Sequence, residues 1–124
     1  MKGVLMARRT IDFGIDLGTT NSEIAYLEKG EVRVFKNYKR EEFTPSVVRI
    51  DEKGTISVGR NAYKRLEDDP NNTVTEFKRW MGTQQEKDFK ASGRKMSAEE
   101  LSAEVLKDLK ITAKANLPNE EDIS

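Results

Sequence analysis

The 124-residue chain has neither cysteine nor histidine. Without thiols it forms no disulfide and no thiolate metal site, and without imidazole it has no Ser-His-Asp or Cys-His catalysis. Any metal it holds must be a hard cation on oxygen ligands, such as Mg²⁺. Long apolar runs are missing as well: no stretch approaches the roughly 20 apolar residues of a membrane-spanning helix. The opening Met1 to Arg9 is too short for a secretory signal, so residues 1–10 are expected to be a disordered lead-in and a cytoplasmic protein is the default. An excess of charge is absent too. Lys plus Arg number 22 and Asp plus Glu 22, for a net charge of 0, so bulk electrostatics argues for no nucleic-acid or membrane partner. The local group Lys36, Lys39 and Arg40 reads as a solvated loop. What remains is 35% hydrophobic and 35% charged residues, enough for one modest core under a heavily charged surface.

Strand and helix periods divide the chain. Ile11, Phe13, Ile15 and Leu17 alternate with Asp12, Gly14 and Asp16, the two-residue period of a strand. Gly18-Thr19-Thr20-Asn21 follows as a turn, then strands from Glu23 to Leu27 and from Glu31 to Phe35, an antiparallel meander. Lys36 to Thr44 is a polar loop before Pro45. Val47–Ile50 and Thr55–Val58 predict a hairpin around Asp51-Glu52-Lys53-Gly54. Arg60 to Glu67 predicts a short helix stopped by Asp68-Asp69-Pro70, and Asn71-Asn72 a turn. Phe77 to Gly82 reads as one helical turn closed by glycine. Thr83 to Lys95 is polar, with a short hairpin expected around Ser92-Gly93. Ser97 and Glu100 then form an S-x-x-E capping box. Leu101, Val105, Leu109 and Ala113 make an apolar stripe that Leu106 widens. Ile111 falls off that stripe, and Pro118 ends the helix before a polar tail. Strands first and helices later place the chain in the α+β class, or in a mixed-sheet α/β unit.

The stretch Gly14-Ile15-Asp16-Leu17-Gly18-Thr19-Thr20-Asn21-Ser22 carries the clearest chemistry. Strand alternation sets Gly14 and Asp16 on one face, and the missing Gly14 side chain leaves room beside the carboxylate. Gly18 permits a positive φ and close backbone approach. The successive amides of Gly18, Thr19, Thr20 and Asn21 could line one anion-binding concavity. A carboxylate beside bare phosphate would repel it, so that arrangement calls for an intervening cation, and Mg²⁺ with retained waters fits. The competing reading is an ordinary hairpin turn, since Gly, Thr, Asn and Ser are common turn residues. Residue chemistry leaves both open. No G-x-x-x-x-G-K-S/T loop occurs, and Gly14-x-x-x-Gly18 sits in a strand, not in a membrane helix.

Residues 14–22 resemble the first phosphate loop of the actin-like ATPase superfamily, a core that sugar kinases share. Further segments narrow the resemblance: Thr44-Pro45-Ser46-Val47-Val48, Val58-Gly59-x-x-Ala62, Asn72-Thr73, Phe77-Lys78-Arg79-Trp80-Met81-Gly82, and Ser102-Ala103-Glu104-Val105-Leu106-x-x-Leu109-Lys110. In this order they are similar to the 70-kilodalton heat-shock chaperone family over nearly all of residues 11 to 117. The resemblance implies a ribonuclease-H-like (actin-like ATPase) N-terminal lobe, a mixed sheet with an antiparallel meander and flanking helices. It implies ATP or ADP and Mg²⁺ as ligands, with Gly18, Thr19, Thr20 and Asn21 in the loop for the β- and γ-phosphates. Asp16 would hold waters of the Mg²⁺ shell, Thr20 would lie near the γ-phosphate, and Lys78 would be the catalytic lysine. Unfolded peptide clients and co-chaperones would be partners of the parent.

By the family pattern the second phosphate loop, the adenosine pocket and the second lobe would lie beyond Ser124. The implied organisation is therefore the first part of the N-terminal lobe at 11–117 and a polar tail at 118–124. Residues 83–95 are shorter than the family's usual segment, and Glu23 sits where many members have a small residue or cysteine. An incomplete site is expected to bind ATP weakly or not at all and to lack turnover. Two alternatives stand beside this one: a piece of another actin-superfamily kinase, or a non-catalytic fragment that self-associates through an unpaired sheet edge.

Overall fold

The computed structural model describes residues 10–116 and the backbone of 122–123. Of the expected lead-in at 1–10, residues 1–9 lie outside the described residues, as does most of the tail, whereas Thr10 belongs to a strand. The predicted strand from Ile11 to Leu17 is split. β1 (Thr10–Ile11) pairs in parallel with β11 (Asp122–Ile123), inside the expected polar tail, whereas β2 (Phe13–Leu17) belongs to a different sheet. Asp12 stands between them, its carbonyl accepting the Leu27 N–H at 3.3 Å.

β2 pairs antiparallel with β3 (Asn21–Glu28), and β3 with β4 (Glu31–Val34), which is the expected meander. The far edge of β3 also takes β5 (Thr44–Pro45), with Asn21 opposite Pro45 and Ser22 opposite Thr44. One residue later the chain enters a second sheet. There β6 (Val47–Ile50) lies between β7 (Ile56–Val58) and β8 (Thr73–Thr75), antiparallel to both. β8 has no clear sequence signal, because three residues hold too little alternation to read. β9 (Glu86–Phe89) and β10 (Arg94–Ser97) form the hairpin around Ser92-Gly93.

The predicted helix at Arg60 to Glu67 is shorter: α1 spans Arg60–Tyr63 and gives way to tighter turns, with the N–H groups of Arg65 and Leu66 bonding only three residues back. Gly59 offers α1 no side-chain cap, and Asp68-Asp69-Pro70 cannot continue it. α2 (Ala98–Ala115) follows the sequence closely. Ser97 Oγ accepts the Glu100 N–H, and Glu100 returns the bond to the Ser97 N–H. Its stripe of Leu101, Val105, Leu109 and Ala113 is buried, while Ile111 is 65% exposed. That stripe packs with Ile24, Phe35, Val48, Ile50, Phe77 and Phe89 into one core serving both sheets. Tyr26 stacks on Phe35 with centroids 4.5 Å apart.

The polar loop at 36–44 is ordered by buried Asn37. Its carbonyl accepts the N–H groups of Lys39 and Glu41, and its amide reaches Thr44 Oγ1. Lys36, Lys39 and Arg40 stand exposed on this loop, as a solvated face. No helix of the described residues is long and apolar enough to cross a membrane.

Candidate functional site

The Gly18–Asn21 stretch connects β2 to β3. The Gly18 N–H donates to the Asn21 carbonyl at 3.1 Å and closes the turn. Gly18 does not adopt the expected positive φ. It is required for a different reason: a Cβ there would stand 2.3 Å from the Asn21 carbonyl oxygen. The close approach, not the handedness, selects glycine. Among the described residues, the amides of Thr19 and Thr20 have no acceptor, and Thr20 is exposed. Donors at a turn that meet no protein oxygen are the condition an anion-binding nest requires.

The loop is held from behind by one residue. Ser46 links β5 to β6, and so joins the two sheets. Its N–H donates to the Thr20 carbonyl at 2.9 Å, and its Oγ to the Gly18 carbonyl at 2.9 Å. Ser22 Oγ lies 2.8 Å from Ser46 Oγ, and both side chains are buried. Neither serine stood out in the sequence as a site residue. A signal was available: the strand period of β3 turns Ser22 inward beside Ile24, and a buried hydroxyl needs a partner.

Lys78 comes from a single 3-10 turn at Phe77–Trp80. Glu76 starts that turn at φ 57°, Phe77 is buried in the core, and Gly82 closes it at φ 78°. With Phe77 anchored, the next side chain points out of the core. Lys78 Nζ donates to the carbonyl of Leu17, 61 residues away. In the β2–β3 register, Leu17 lies opposite Ser22. The start of α2 steadies this turn, because Glu99 Oε2 accepts the Gly82 N–H at 2.9 Å. That bond holds the Glu99 carboxyl below its ordinary range. Leu17, Gly18, Phe77, Lys78, Met81 and Val105 line a small, mostly apolar pocket.

Asp16 lines another hollow. With Gly14, Glu23 and Ala25 it forms a shallow concavity on the outer face of β2 and β3. A Cβ on Gly14 would meet nothing within 4 Å, so the space beside the carboxylate is open. Asp16 stands directly across from Glu23. The fold thus brings Lys78 to the Leu17 carbonyl, just before the loop, and sets Asp16 one residue earlier, on the opposite face of β2. Among the described residues, no group of three or more acidic side chains gathers as a ready metal cage. The oxygen donors of Asp16 and Glu23 are the hard type that Mg²⁺ takes, and Mg²⁺ keeps several waters in place of protein ligands.

Residues 12–123 match the family described as Hsp70 protein. Over 105 residues, 85% of this chain, the sequence is 43% identical to the chaperone protein DnaK of Mycoplasmopsis pulmonis. The match takes in 17% of that relative, so the chain spans about a sixth of its length. The antiparallel sheets and long helix are in keeping with part of the actin-like ATPase lobe. A match over so much of the chain sets aside the kinase alternative, and the chain belongs to the Hsp70 family.

Proposed function

We propose that this chain supplies the first phosphate-binding loop and the catalytic lysine of an ATP-driven chaperone. The observation that carries the reading is the Lys78 ammonium seated on the Leu17 carbonyl, at the entrance to the Gly18–Asn21 loop. A cation held on the backbone two residues before the first free turn amide suits the oxygens of a polyphosphate, and such fixed charges and donors are what phosphoryl transfer chiefly uses. In this reading the amides of Thr19 and Thr20 and the Thr20 hydroxyl grip the terminal phosphates. Gly18 and Asn21 close the turn that presents them. Lys78 orients the attacking water and stabilises charge on the transferring group. Asp16 holds waters of the Mg²⁺ shell in the open space beside Gly14. Mg²⁺, when bound, neutralises phosphate charge. The adenosine end of the nucleotide, the peptide clients and the co-chaperones belong to the whole protein. These 124 residues are expected to bind ATP or ADP weakly at most, because the hollow beside Asp16 is shallow and buries little of a ligand.

Calorimetric titration with Mg-ATP and amide spectra with Mg-ADP test this reading. Weak binding is expected, with shifts at Thr19, Thr20 and Asn21, reduced by Asp16→Asn and by Lys78→Ala. Binding indifferent to both substitutions, or shifts confined to another face, would overturn it. Multiple turnovers by the 124-residue chain would contradict the incomplete site.

One observation favours a second property, association of the chain with itself. Leu27 and Val32 face each other across β3 and β4, yet are 51% and 73% exposed. An apolar cross-strand pair of this kind is a contact surface for another copy. Sedimentation of a clean monomer at high concentration rules this out.

A further inference from the structure

We propose that Ser46 is the positioning residue of the Gly18–Asn21 loop, turning its amides to the ligand side. The inference rests on the phosphate-loop reading for its purpose, but its geometry stands independently. Ser46 is 3% exposed and is the one residue between β5 of the first sheet and β6 of the second. It holds two successive carbonyls of the loop, that of Gly18 through Oγ and that of Thr20 through its N–H, each at 2.9 Å. Its own carbonyl accepts from Thr75 Oγ1 on β8 at 3.4 Å. One residue therefore ties the loop to the step between the sheets and to β8.

The consequence follows from peptide geometry. In a trans peptide the C=O and the following N–H point in opposite directions across a rigid plane, and the described chain contains no cis peptide. Pulling the Gly18 carbonyl toward Ser46 turns the Thr19 N–H away from Ser46. Pulling the Thr20 carbonyl the same way turns the Asn21 N–H away. Ser46 thus fixes the direction of two loop donors without touching what they bind. A hydroxyl is required, because an alanine keeps the N–H bond to Thr20 and loses the grip on Gly18. Ser22 serves as the contrast. It shares a hydrogen bond with Ser46 Oγ at 2.8 Å and is as deeply buried, but it reaches no loop carbonyl.

The experiment compares Ser46→Ala with Ser22→Ala in the 124-residue chain. Ser46→Ala loses two side-chain hydrogen bonds and Ser22→Ala one, so a merely structural role predicts a larger general loosening in Ser46→Ala but no change confined to Gly18. The first readout is hydrogen exchange of the Gly18 amide, the donor that closes the turn on Asn21, measured without nucleotide. Ser46→Ala is expected to speed it about tenfold, the loss of one hydrogen bond, while Ser22→Ala leaves it within about threefold. The amides of Val48 and Ile50 serve as internal controls for global opening. The second readout is the Mg-ADP shift at Thr19, weakened by Ser46→Ala alone, while the shift at Asn21, whose direction the retained Ser46 N–H bond sets, is kept. Equal Gly18 exchange in the two variants overturns the proposal. If the wild-type chain shows no nucleotide shift at the loop, the phosphate reading fails and the exchange comparison still decides Ser46. Should Ser46→Ala not fold, Ser46→Thr retains the hydroxyl, and faster Gly18 exchange in that folded variant overturns the assignment.

Discussion

The two sheets are built from similar residues and buried very differently. In the second sheet, Val47, Val48 and Ile50 of β6 are at most 1% exposed. In the first sheet, Ile15, Leu27 and Val32 are 42%, 51% and 73% exposed. α2 packs on the inner faces of both sheets, but nothing described covers the outer face of β2–β4, and β2 is an edge strand. The contrast shows how the chain divides its work. The well-packed part is a fixed frame, and the thin part carries the loop. The two side chains that discipline the loop both come from the frame: Ser46 from the step into β6, and Lys78 from the turn anchored by buried Phe77.

The sharpest way to break this comparison is to truncate one residue in each part. Leu101 is 0% exposed and lies in the α2 stripe. Leu101→Ala is expected to cost about 2–5 kcal/mol by lost burial and a residual cavity, a large share of the about 5–15 kcal/mol that ordinarily holds a domain folded. Val32→Ala is expected to cost under ~0.5 kcal/mol, as exposed positions do. Urea unfolding of both measures it. Comparable losses would mean that the first sheet is packed against something in solution, as self-association would make it.

Much of the frame was legible because its signals are local. The capping box and the four-residue apolar steps of α2 require no partner to be read. The β6–β7 hairpin is marked by its turn. The thin part was read less well. Phe13 to Leu17 shows clean alternation, yet Ile15 on the inward-facing set stays exposed because an edge strand has neighbours on one side only. The split at Asp12 and the pairing of β1 with β11 depend on contacts more than 100 residues apart, which no period encodes. The candidate site was half legible. Asp16, the loop and Lys78 carry recognisable residue types. Their arrangement was not readable, because strand alternation places Asp16 on one face while the lysine arrives from elsewhere to the backbone of the next residue. Ser46 was invisible as a site residue, since its action passes through two carbonyls.

Gly18→Ala probes the thin part at its tightest point. The added methyl would meet the Asn21 carbonyl oxygen at 2.3 Å, and backbone on both sides leaves nothing soft to yield. The expected cost is about 1–3 kcal/mol, the range for forced overpacking, with changed amide shifts confined to residues 17–22. A variant that kept wild-type shifts there would show the turn to be looser than the Gly18–Asn21 bond requires.

The frame has a weak point of its own. Asp108 sits on α2 with a buried Oδ2 that, among the described residues, has no hydrogen-bond partner. Burial pushes its carboxyl above the ordinary range. Folding therefore favours the protonated form, so the penalty is present at neutral pH and fades as pH falls below the raised value. Asp108→Asn removes the buried charge while keeping the side chain's shape and polarity, and is expected to stabilise modestly at pH 7. The gain should shrink on acidification. Thermal melts at pH 7 and pH 4 check it, and an equal gain at both would mean that charge is not the cause.

The smallest expected effect lies where frame and site meet. Glu99 holds the Lys78 turn through the Gly82 N–H, and that bond depresses its carboxyl. The sign is opposite to that of Asp108: the stabilisation is complete above the carboxyl's unfolded value of about 4.3 and is lost as pH falls through the lower folded value. Glu99→Gln keeps an acceptor for Gly82 but removes the charge, and with it the favourable interaction at the first turn of α2. The variant should be slightly less stable than the wild type at pH 7 and indistinguishable from it once the wild-type carboxyl is protonated. Amide exchange at Gly82, followed against pH, reads this directly. A wild-type Gly82 amide as protected in acid as at pH 7 would show that the charge on Glu99 plays no part in holding the turn that presents Lys78.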